Sequence, residues 1–208
     1  DNHVEIGSSY SLIQAGRELI YKGYQNYIFF SLIPATIGGA IRQNAGTGTK
    51  EEMKDVCLSC KVFDIKKNKV IEFDLEEMNF KYRNSVIKQY PNRYIVLSSR
   101  FKLNNRTDKI DQLILEMKKR VKEKKNREPS GYSFGSTFVN DKKKAWEYVD
   151  SIYNNLDLSD DYYFSDKHKN WVVNRNGSGK DILALINKVQ NEVFNEFNIN
   201  LKLEVDII

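Results

Sequence analysis

The chain has 208 residues, of which 40% are hydrophobic and 12% aromatic, and this is enough apolar material for one or two compact units. No run of about eighteen apolar residues occurs, so the sequence contains no candidate for a membrane-spanning helix. The net charge is a modest +5. Composition therefore argues against a disordered chain and against a helical membrane anchor.

The first half of the chain is predicted to contain a helix followed by three strands. The start, DNHVEIGSSY, has neither a methionine nor the apolar segment of a signal peptide, and it begins as though within a strand, so we expect more chain upstream. The helix is capped by Ser8 or Ser9 and stops at Gly23. Abundant Val, Ile, Phe and Tyr predict strands within 54–64, 69–75 and 93–103, the first two joined by a hairpin.

The second half begins with a long helix that Thr107 is predicted to cap and that ends before Pro129, where a change in composition indicates a domain boundary. The elements predicted after it are a helix at 143–156, short strands within 162–174, a helix with Ile182, Leu185, Ile186, Val189 and Val193 on one face, and a terminal strand at 199–208. Strands and helices occur in blocks rather than in regular βαβ alternation. This favours an α+β fold over a doubly wound sheet.

The two cysteines, Cys57 and Cys60, lie in a predicted strand. A structural zinc site needs four ligands, and neither His3 nor His168 stands at a zinc-finger spacing from them. Residues three apart in a strand point to opposite faces of the sheet. We therefore predict ordinary strand residues in a reducing, cytoplasmic compartment, and no metal.

Two polar segments have simple structural explanations. The basic run KKRVKEKK, at 118–125, is typical of a solvated helix face, and no nucleic-acid fold motif accompanies it. The segment NGSGKDIL, at 176–183, resembles a P-loop but has Asn174 and Asp181 at two of the required positions. We interpret it as a turn in which Ser178 or a neighbour caps the next helix.

The segment IPATIGGAIRQNAGTG, at 33–48, admits two interpretations. Gly38 and Gly39 allow close approach of the backbone, and Asn44, Ala45 and Gly46 can turn N–H groups toward an anion or a ring edge. A packing corner between helix and sheet would favour the same glycines. The residues alone leave both interpretations open.

Single polar residues elsewhere are weaker candidates. Arg83, beside Tyr82 in FKYRNSVIK, offers a planar fork of donors for a carboxylate or phosphate. Taken alone, the sequence favours a structural or exposed role for His168 and, for Glu204, a solvent-facing carboxylate on the strand face that it shares with Lys202 and Asp206. The turn in SFGSTFVN, at 133–140, has aromatic residues on both sides, which predict that it is packed and holds a hydroxyl close to another group.

Taken in order, five segments resemble the UDP-N-acetylenolpyruvoylglucosamine reductases, and the resemblance extends from about residue 4 to residue 208. The segments are IPATIGGAIRQNAG, FKYRNSVIK, SFGSTFVN, SDKHKNWVVNRNGSGKDILALI and INLKLEVDII. The resemblance implies a cytoplasmic flavoenzyme of peptidoglycan precursor synthesis. NADPH reduces FAD, and the flavin passes a hydride to the enolpyruvyl ether of a UDP-sugar.

The resemblance also implies the site residues and the domains. Ser136 donates the proton that completes the reduction, and Arg83 and Glu204 stabilise the enolate-like intermediate. The implied substrate contacts are Tyr82, Asn140 and His168. The implied flavin contacts are Gly38, Gly39, Asn44, Ala45 and Gly46. The implied order is a flavin-binding domain at 1–105, a connecting helix at 106–127, a smaller α+β substrate-binding domain at 128–198 and a terminal strand at 199–208 that returns toward the flavin domain. We expect a monomer whose partner is the UDP-sugar, with no nucleic acid and no membrane insertion.

Two departures from the family pattern leave alternatives open. The Gly-rich loop that holds the FAD pyrophosphate in this family does not occur in the chain. It either lies upstream or is missing from a shortened, non-catalytic nucleotide-sugar-binding relative. Val139 and Asp141 replace a basic residue and a proline, which would suit a related flavoprotein acting on another nucleotide sugar, for instance in surface polysaccharide synthesis.

Overall fold

The computed structural model describes residues 2–48 and 51–207, and the chain divides into two compact units, Asp1–Lys122 and Glu123–Ile208. The elements of the first unit are β1 (His3–Gly7), α1 (Leu12–Tyr21), α2 (Ile37–Gln43), β2 (Cys57–Asp64), β3 (Lys69–Asp74), α3 (Val86–Gln89) and β4 (Tyr94–Lys102), with 3₁₀ turns at Gln25–Leu32 and Met53–Asp55. The division between the units falls within α4 (Ile110–Arg127). The elements of the second unit are α5 (Ala145–Ser151), β5 (Tyr162–Phe164), β6 (Val172–Asn174) and α6 (Gly179–Phe197), with a 3₁₀ turn at Tyr153–Asn155. Together they form the mixed α+β architecture that the sequence predicted.

A four-stranded antiparallel sheet in the order β1-β4-β2-β3 forms the frame of the first unit. The three predicted strands are confirmed, as is the hairpin between β2 and β3, where Asn68 turns the chain with a φ of 48°. The apolar stripe of α1 and the buried face of α2 pack into the core beside this sheet. Among the core side chains are Leu12, Tyr27, Phe30, Ile37, Ile41 and Phe101.

The ends of two helices differ from the predicted caps. The N-cap of α1 is Ser11, whose hydroxyl accepts from the N–H of Gln14, rather than Ser8 or Ser9. The predicted stop at Gly23 is confirmed, because this residue follows the C-cap with a φ of +89°, where a side chain would be strained. Helix α4 begins at Ile110, and Thr107 instead accepts from the N–H of Lys109.

A β-bulge overturns the prediction that Cys57 and Cys60 point to opposite faces. Cys57 pairs with Phe101 and Ser59 pairs with Arg100, so β2 carries one extra residue between them. The extra residue shifts the alternation, and both cysteines are buried on the core side as free thiols. No three His, Cys, Asp or Glu side chains within 2–48 and 51–207 are placed to hold a metal ion.

The second unit packs α5 and α6 with the short hairpin of β5 and β6. Ser178 caps α6 as predicted and forms a capping box with Asp181. The predicted helix at 143–156 is shorter, ending at Ser151 before the 3₁₀ turn. The predicted terminal strand is wrong: its described residues form one isolated bridge, between Leu203 and Phe138, instead of a continuous ladder. Ile208 lies outside the described residues.

None of the helices in the described part of the chain combines the length and the apolar character needed to cross a membrane. The predicted domain limits at residues 105 and 127 lie on either side of the division at Lys122 and stay predictions.

Candidate functional site

Ser136 lies in an extended segment of the second unit that runs between β6 and the C-terminal residues. It forms an antiparallel bridge with Trp171, and the N–H of Thr137 donates to the carbonyl of Asn170 at 2.7 Å. On the other side, the N–H of Val139 donates to the carbonyl of Lys202 at 2.8 Å. Backbone bonds on both sides therefore hold the half-buried Ser136 at a defined position.

Asn170 clamps the same segment with its side chain. Its Oδ1 accepts from the N–H of Phe138 at 2.9 Å, and its Nδ2 donates to the carbonyl of Phe138 at 2.8 Å. The buried amide thus satisfies both backbone groups of Phe138, as a neighbouring strand would. The sequence reasoning missed this residue, although it lies between His168 and Trp171 in a segment that carried the family resemblance.

Glu204 is brought to the same place by the C-terminal segment. Its N–H donates to the carbonyl of Thr137 at 2.8 Å, next to Ser136 in the chain. Glu204 is half-buried, whereas Lys202 and Asp206 are exposed, so Glu204 is the least solvent-accessible of the three. The second unit therefore holds the candidate proton donor and the candidate carboxylate in adjacent backbone segments.

His168 precedes the backbone that pairs with Ser136. Its ring centroid lies 5.7 Å from that of Trp171, and its Nδ1 accepts from the N–H of Asn170 at 3.4 Å. Burial lowers the pKa of His168 below its usual value, because burial disfavours the charged imidazolium. The neutral ring is therefore favoured at neutral pH.

Aromatic rings do not hold the turn before Ser136 in the way that the sequence predicted. Tyr132 is 83% exposed and Phe134 is 43% exposed, so the prediction that flanking aromatic residues pack the turn is wrong on its N-terminal side. A bridge between Tyr132 and Asn174 holds the backbone there while the ring projects into solvent. Asn140, at the other end, is exposed, and its Oδ1 accepts from the N–H of Ala145 at the start of α5.

Arg83 lies in the first unit and connects two segments that the sequence singled out. Its backbone has a φ of 52°, and its guanidinium donates to the carbonyl of Gly46 at 2.8 Å and to that of Asn44 at 3.4 Å. Glu52 lies 3.6 Å from the same guanidinium, and the ring of Tyr82 stacks on it at 4.8 Å. The first unit thus holds Arg83 against the predicted flavin-contacting residues.

The predicted flavin-contacting residues divide into exposed and buried positions. Gly39 is exposed, and a Cβ added there would meet only Thr36 Oγ1, at 3.5 Å, so its backbone is open to approach. Gly46 has no such space beside its backbone, because a Cβ added there would lie 2.3 Å from the carbonyl oxygen of Glu51. Ala45 is buried and shapes this corner from within.

Gly38 and Asn44 support the same segment from the protein side. The N–H of Gly38 donates to the carbonyl of Ser8 at 2.8 Å, and a Cβ on Gly38 would crowd that residue. The fully buried Asn44 ends α2 in the left-handed conformation, and its side chain bonds Glu52, the carbonyl of Lys81 and the N–H of Lys54. A role in flavin binding stays a prediction for both the exposed Gly39 and the buried residues.

The comparisons with known proteins give one consistent result. Residues 125–208 match the domain family described as UDP-N-acetylenolpyruvoylglucosamine reductase, C-terminal domain. A crystal structure of UDP-N-acetylenolpyruvylglucosamine reductase (MurB) from Thermus caldophilus superposes with a TM-score of 0.81 at 28% identity, covering 99% of this chain and 73% of that one.

Curated relatives extend the match to the first unit. The UDP-N-acetylenolpyruvoylglucosamine reductase of Clostridium botulinum is 36% identical over 183 residues, which is 85% of this chain and 56% of the relative. The enzyme of the same name from Campylobacter jejuni is 32% identical over 211 residues, covering 99% of this chain and 74% of the relative. The chain thus spans little more than half the length of the clostridial protein. By these matches, this chain belongs to the UDP-N-acetylenolpyruvoylglucosamine reductase family.

Proposed function

We propose that this chain provides the substrate-binding and proton-donating part of an FAD-dependent, NADPH-using reductase. The reaction would convert UDP-N-acetylglucosamine enolpyruvate to UDP-N-acetylmuramate in peptidoglycan precursor synthesis. Family membership supports the reaction class. The observation that carries the proposal is the hydrogen bond from Glu204 to Thr137, since it holds a carboxylate-bearing segment beside Ser136.

Ser136 is proposed to deliver the proton that completes reduction of the enolpyruvyl double bond. A serine hydroxyl is a weak acid, so it is useful only where its position relative to the forming carbanion is fixed. The bridge to Trp171 and the clamp of Asn170 on Phe138 supply such fixed surroundings. Positioning of this kind contributes to rate because it removes the entropy cost of bringing the groups together.

Arg83 is proposed to stabilise, by its positive charge, the negative charge that develops when a hydride adds to the double bond, and Glu204 is proposed to assist by donating a hydrogen bond when its carboxyl group is protonated. Oriented charged groups are most effective where little water competes for them. The Arg83 side chain is only 11% exposed, and two carbonyl groups accept hydrogen bonds from its guanidinium, which supports this role. Tyr82, Asn140 and His168 are proposed to contact the UDP-sugar.

FAD, when bound and reduced with electrons from NADPH, would supply the hydride. In this chain the open backbone at Gly39 is proposed to lie against the flavin ring. Gly38, Asn44, Ala45 and Gly46 would fix the shape of that segment. The free thiols of Cys57 and Cys60 support a reducing, cytoplasmic location.

The test is to purify the complete protein and measure its flavin absorbance and its NADPH oxidation with UDP-N-acetylglucosamine enolpyruvate. We expect a yellow protein that oxidises NADPH only slowly until the substrate is added. A colourless protein that oxidises no NADPH with substrate would rule out the proposal.

A second function is suggested by Val139 and Asp141, which replace a basic residue and a proline of the family pattern. A related protein that binds another nucleotide sugar would show a larger thermal shift with a sugar nucleotide lacking the enolpyruvyl group. This follows because, at equal concentration, the ligand that binds the native state more tightly raises its apparent stability more. A larger shift with the enolpyruvyl substrate would favour the reductase.

A further inference from the structure

Glu52 lies at the centre of a nearly buried polar cluster in the first unit. Its Oε2 accepts from Asn44 Nδ2 at 3.1 Å and from Lys54 Nζ at 3.0 Å, and its Oε1 lies 3.6 Å from Nη1 of Arg83. The Glu52 side chain is 12% exposed. We infer that Glu52 is the positioning residue whose negative charge keeps the guanidinium of Arg83 against the carbonyls of Gly46 and Asn44, an inference that rests on the role proposed above for Arg83.

The backbone around Glu52 is held partly by the carboxylate itself, which accepts from the N–H of Asp55 in a capping box, and partly by main-chain contacts with neighbouring segments. Glu52 forms an antiparallel bridge with Gly46, and its N–H donates to Asp55 Oδ2 at 2.8 Å. The next N–H, that of Met53, donates to the carbonyl of Ala45 at 3.0 Å. The carboxylate therefore projects from a rigid corner, and this corner includes Gly46, whose carbonyl accepts from Arg83.

The hydrogen bonds of the Arg83 guanidinium and the neutralisation of its charge come from different groups. The guanidinium directs its hydrogen bonds to the carbonyls of Gly46 and Asn44, while the Glu52 oxygen at 3.6 Å is beyond ordinary hydrogen-bond distance. A nearly buried guanidinium needs a nearby counter-charge, because an isolated buried charge is costly. Glu52 supplies that charge at 3.6 Å, so it neutralises Arg83 without forming a close bidentate pair with it.

Two observations distinguish Glu52 from its neighbour Glu51. The carboxylate of Glu51 forms a two-bonded pair with Arg120 of α4 and accepts from Thr47. The carboxylate of Glu52 instead joins Asn44, Lys54 and Arg83. Glu51→Gln is therefore a matched control that removes an adjacent carboxylate of the same kind.

The experiment measures the two half-reactions of the complete FAD-loaded protein by rapid mixing. In Glu52→Gln we expect reoxidation of the flavin by the enolpyruvyl substrate to slow by about tenfold to a hundredfold, since small displacements of a catalytic group have effects of this size. Flavin reduction by NADPH should stay within about twofold, and Glu51→Gln should leave both half-reactions unchanged. Glu52→Asp, which keeps the charge, should recover part of the loss. An equal loss in both half-reactions would overturn the inference.

A double-mutant cycle tests whether Glu52 acts through Arg83. Adding Glu52→Gln to Arg83→Ala should slow substrate reduction no further, because the group to be oriented is already gone. If the rate losses of the two single variants multiply in the double variant, Glu52 acts separately from Arg83, and the inference is overturned.

The same cycle is measured by thermal unfolding of the chain, which requires no activity. Glu52→Gln should lower the unfolding midpoint of the wild type more than that of Arg83→Ala. If the complete protein reduces no substrate, the proposed function fails, and this comparison decides the inference alone. Equal shifts in the two backgrounds would then overturn it.

Discussion

The N–H of Glu204 donates to the carbonyl of Thr137 at 2.8 Å, and this bond sets the register between two candidate catalytic residues. Ser136 precedes Thr137 directly, so a shift of the C-terminal segment by one residue would replace Glu204 at this position with a neighbour. The adjacent bond between Val139 and Lys202 confirms the same register. The pairing of the two backbones therefore determines which acidic residue accompanies Ser136.

Replacement of Ser136 by alanine should slow substrate reduction by about a hundredfold to ten-thousandfold, the usual contribution of a positioned acid or base. Reduction of the flavin by NADPH should be unaffected, because it involves no proton from this hydroxyl. Rapid-mixing measurements of the two half-reactions give the comparison. Ser133→Ala, in the same turn, is the control. Equal losses in both half-reactions would contradict the proton-donor role.

Removal of the Asn170 amide should destabilise the second unit. In Asn170→Ala the N–H and carbonyl of Phe138 lose their buried partners, at a cost of about 1–3 kcal/mol for each unsatisfied group. Urea unfolding measures this loss of stability. The kcat for substrate reduction should fall as well, because Ser136 lies two residues before Phe138 in the chain. Asn176→Ala, which removes an exposed amide bonded to Asp161, should have little effect. A variant as stable as the wild type would show that Phe138 finds other partners.

Stability should depend on pH through Asp64, which is buried at the end of β2. Burial alone would raise the pKa of Asp64, but the N–H of Lys67 and the guanidinium of Arg93 together outweigh it and hold the pKa below its usual value. A lowered pKa stabilises the fold above the pKa of the unfolded state, and the stabilisation is lost as the pH falls through the folded-state pKa. Asp64→Asn should therefore be less stable than the wild type at pH of about 7, with a smaller difference below about pH 4.

Denaturant midpoints measured at several pH values check this expectation. Asp108→Asn is the control, because Asp108 is 94% exposed and should contribute little at any pH. A deficit in Asp64→Asn that stayed constant from neutral to acidic pH would show that packing, rather than the charge, matters at this position.

Loss of the cap of α6 should weaken that helix. Ser178→Ala removes the hydroxyl that accepts from the N–H of Asp181, and such caps contribute about 1 kcal/mol. The hydrogen bonds from Ser178 also lower the pKa of Asp181, so the variant should return this pKa toward its ordinary value. Urea unfolding and NMR titration measure the two effects. Ser130→Ala is the control, because Ser130 is exposed. An equal change in stability in the two variants would show that the cap does not stabilise α6.

Local sequence signals were sufficient for most of the elements. The patterns that predicted these elements are local: runs of β-branched and aromatic residues in β2, β3 and β4, and an apolar face in α6. Such patterns can be recognised without knowing the rest of the fold. The terminal segment showed the same alternation, but its described residues form only one bridge, because a strand depends on hydrogen bonds to a neighbouring segment as well as on its own pattern. The bulge after Cys57 was equally invisible, since it depends on how β2 pairs with β4.

The partners of the site residues depend on contacts between distant parts of the chain. The resemblance indicated Arg83 and the segment at 44–46, but nothing in either stretch showed that the guanidinium reaches the carbonyl of Gly46. Asn170 and Glu52 were missed for the same reason. Each is a common polar residue, and its importance comes from buried backbone groups or charges that the fold places beside it.

The pairing of Thr137 with Glu204 also has a kinetic consequence. Helices α5 and α6 and the β5–β6 hairpin all lie between these two residues in the chain, so the bond closes a long loop. Closing a long loop costs conformational entropy before the contact stabilises the fold, so contacts of this kind slow folding. We therefore expect α6 to gain protection from hydrogen exchange early in refolding, and the amide of Glu204 to be among the last in the second unit to do so.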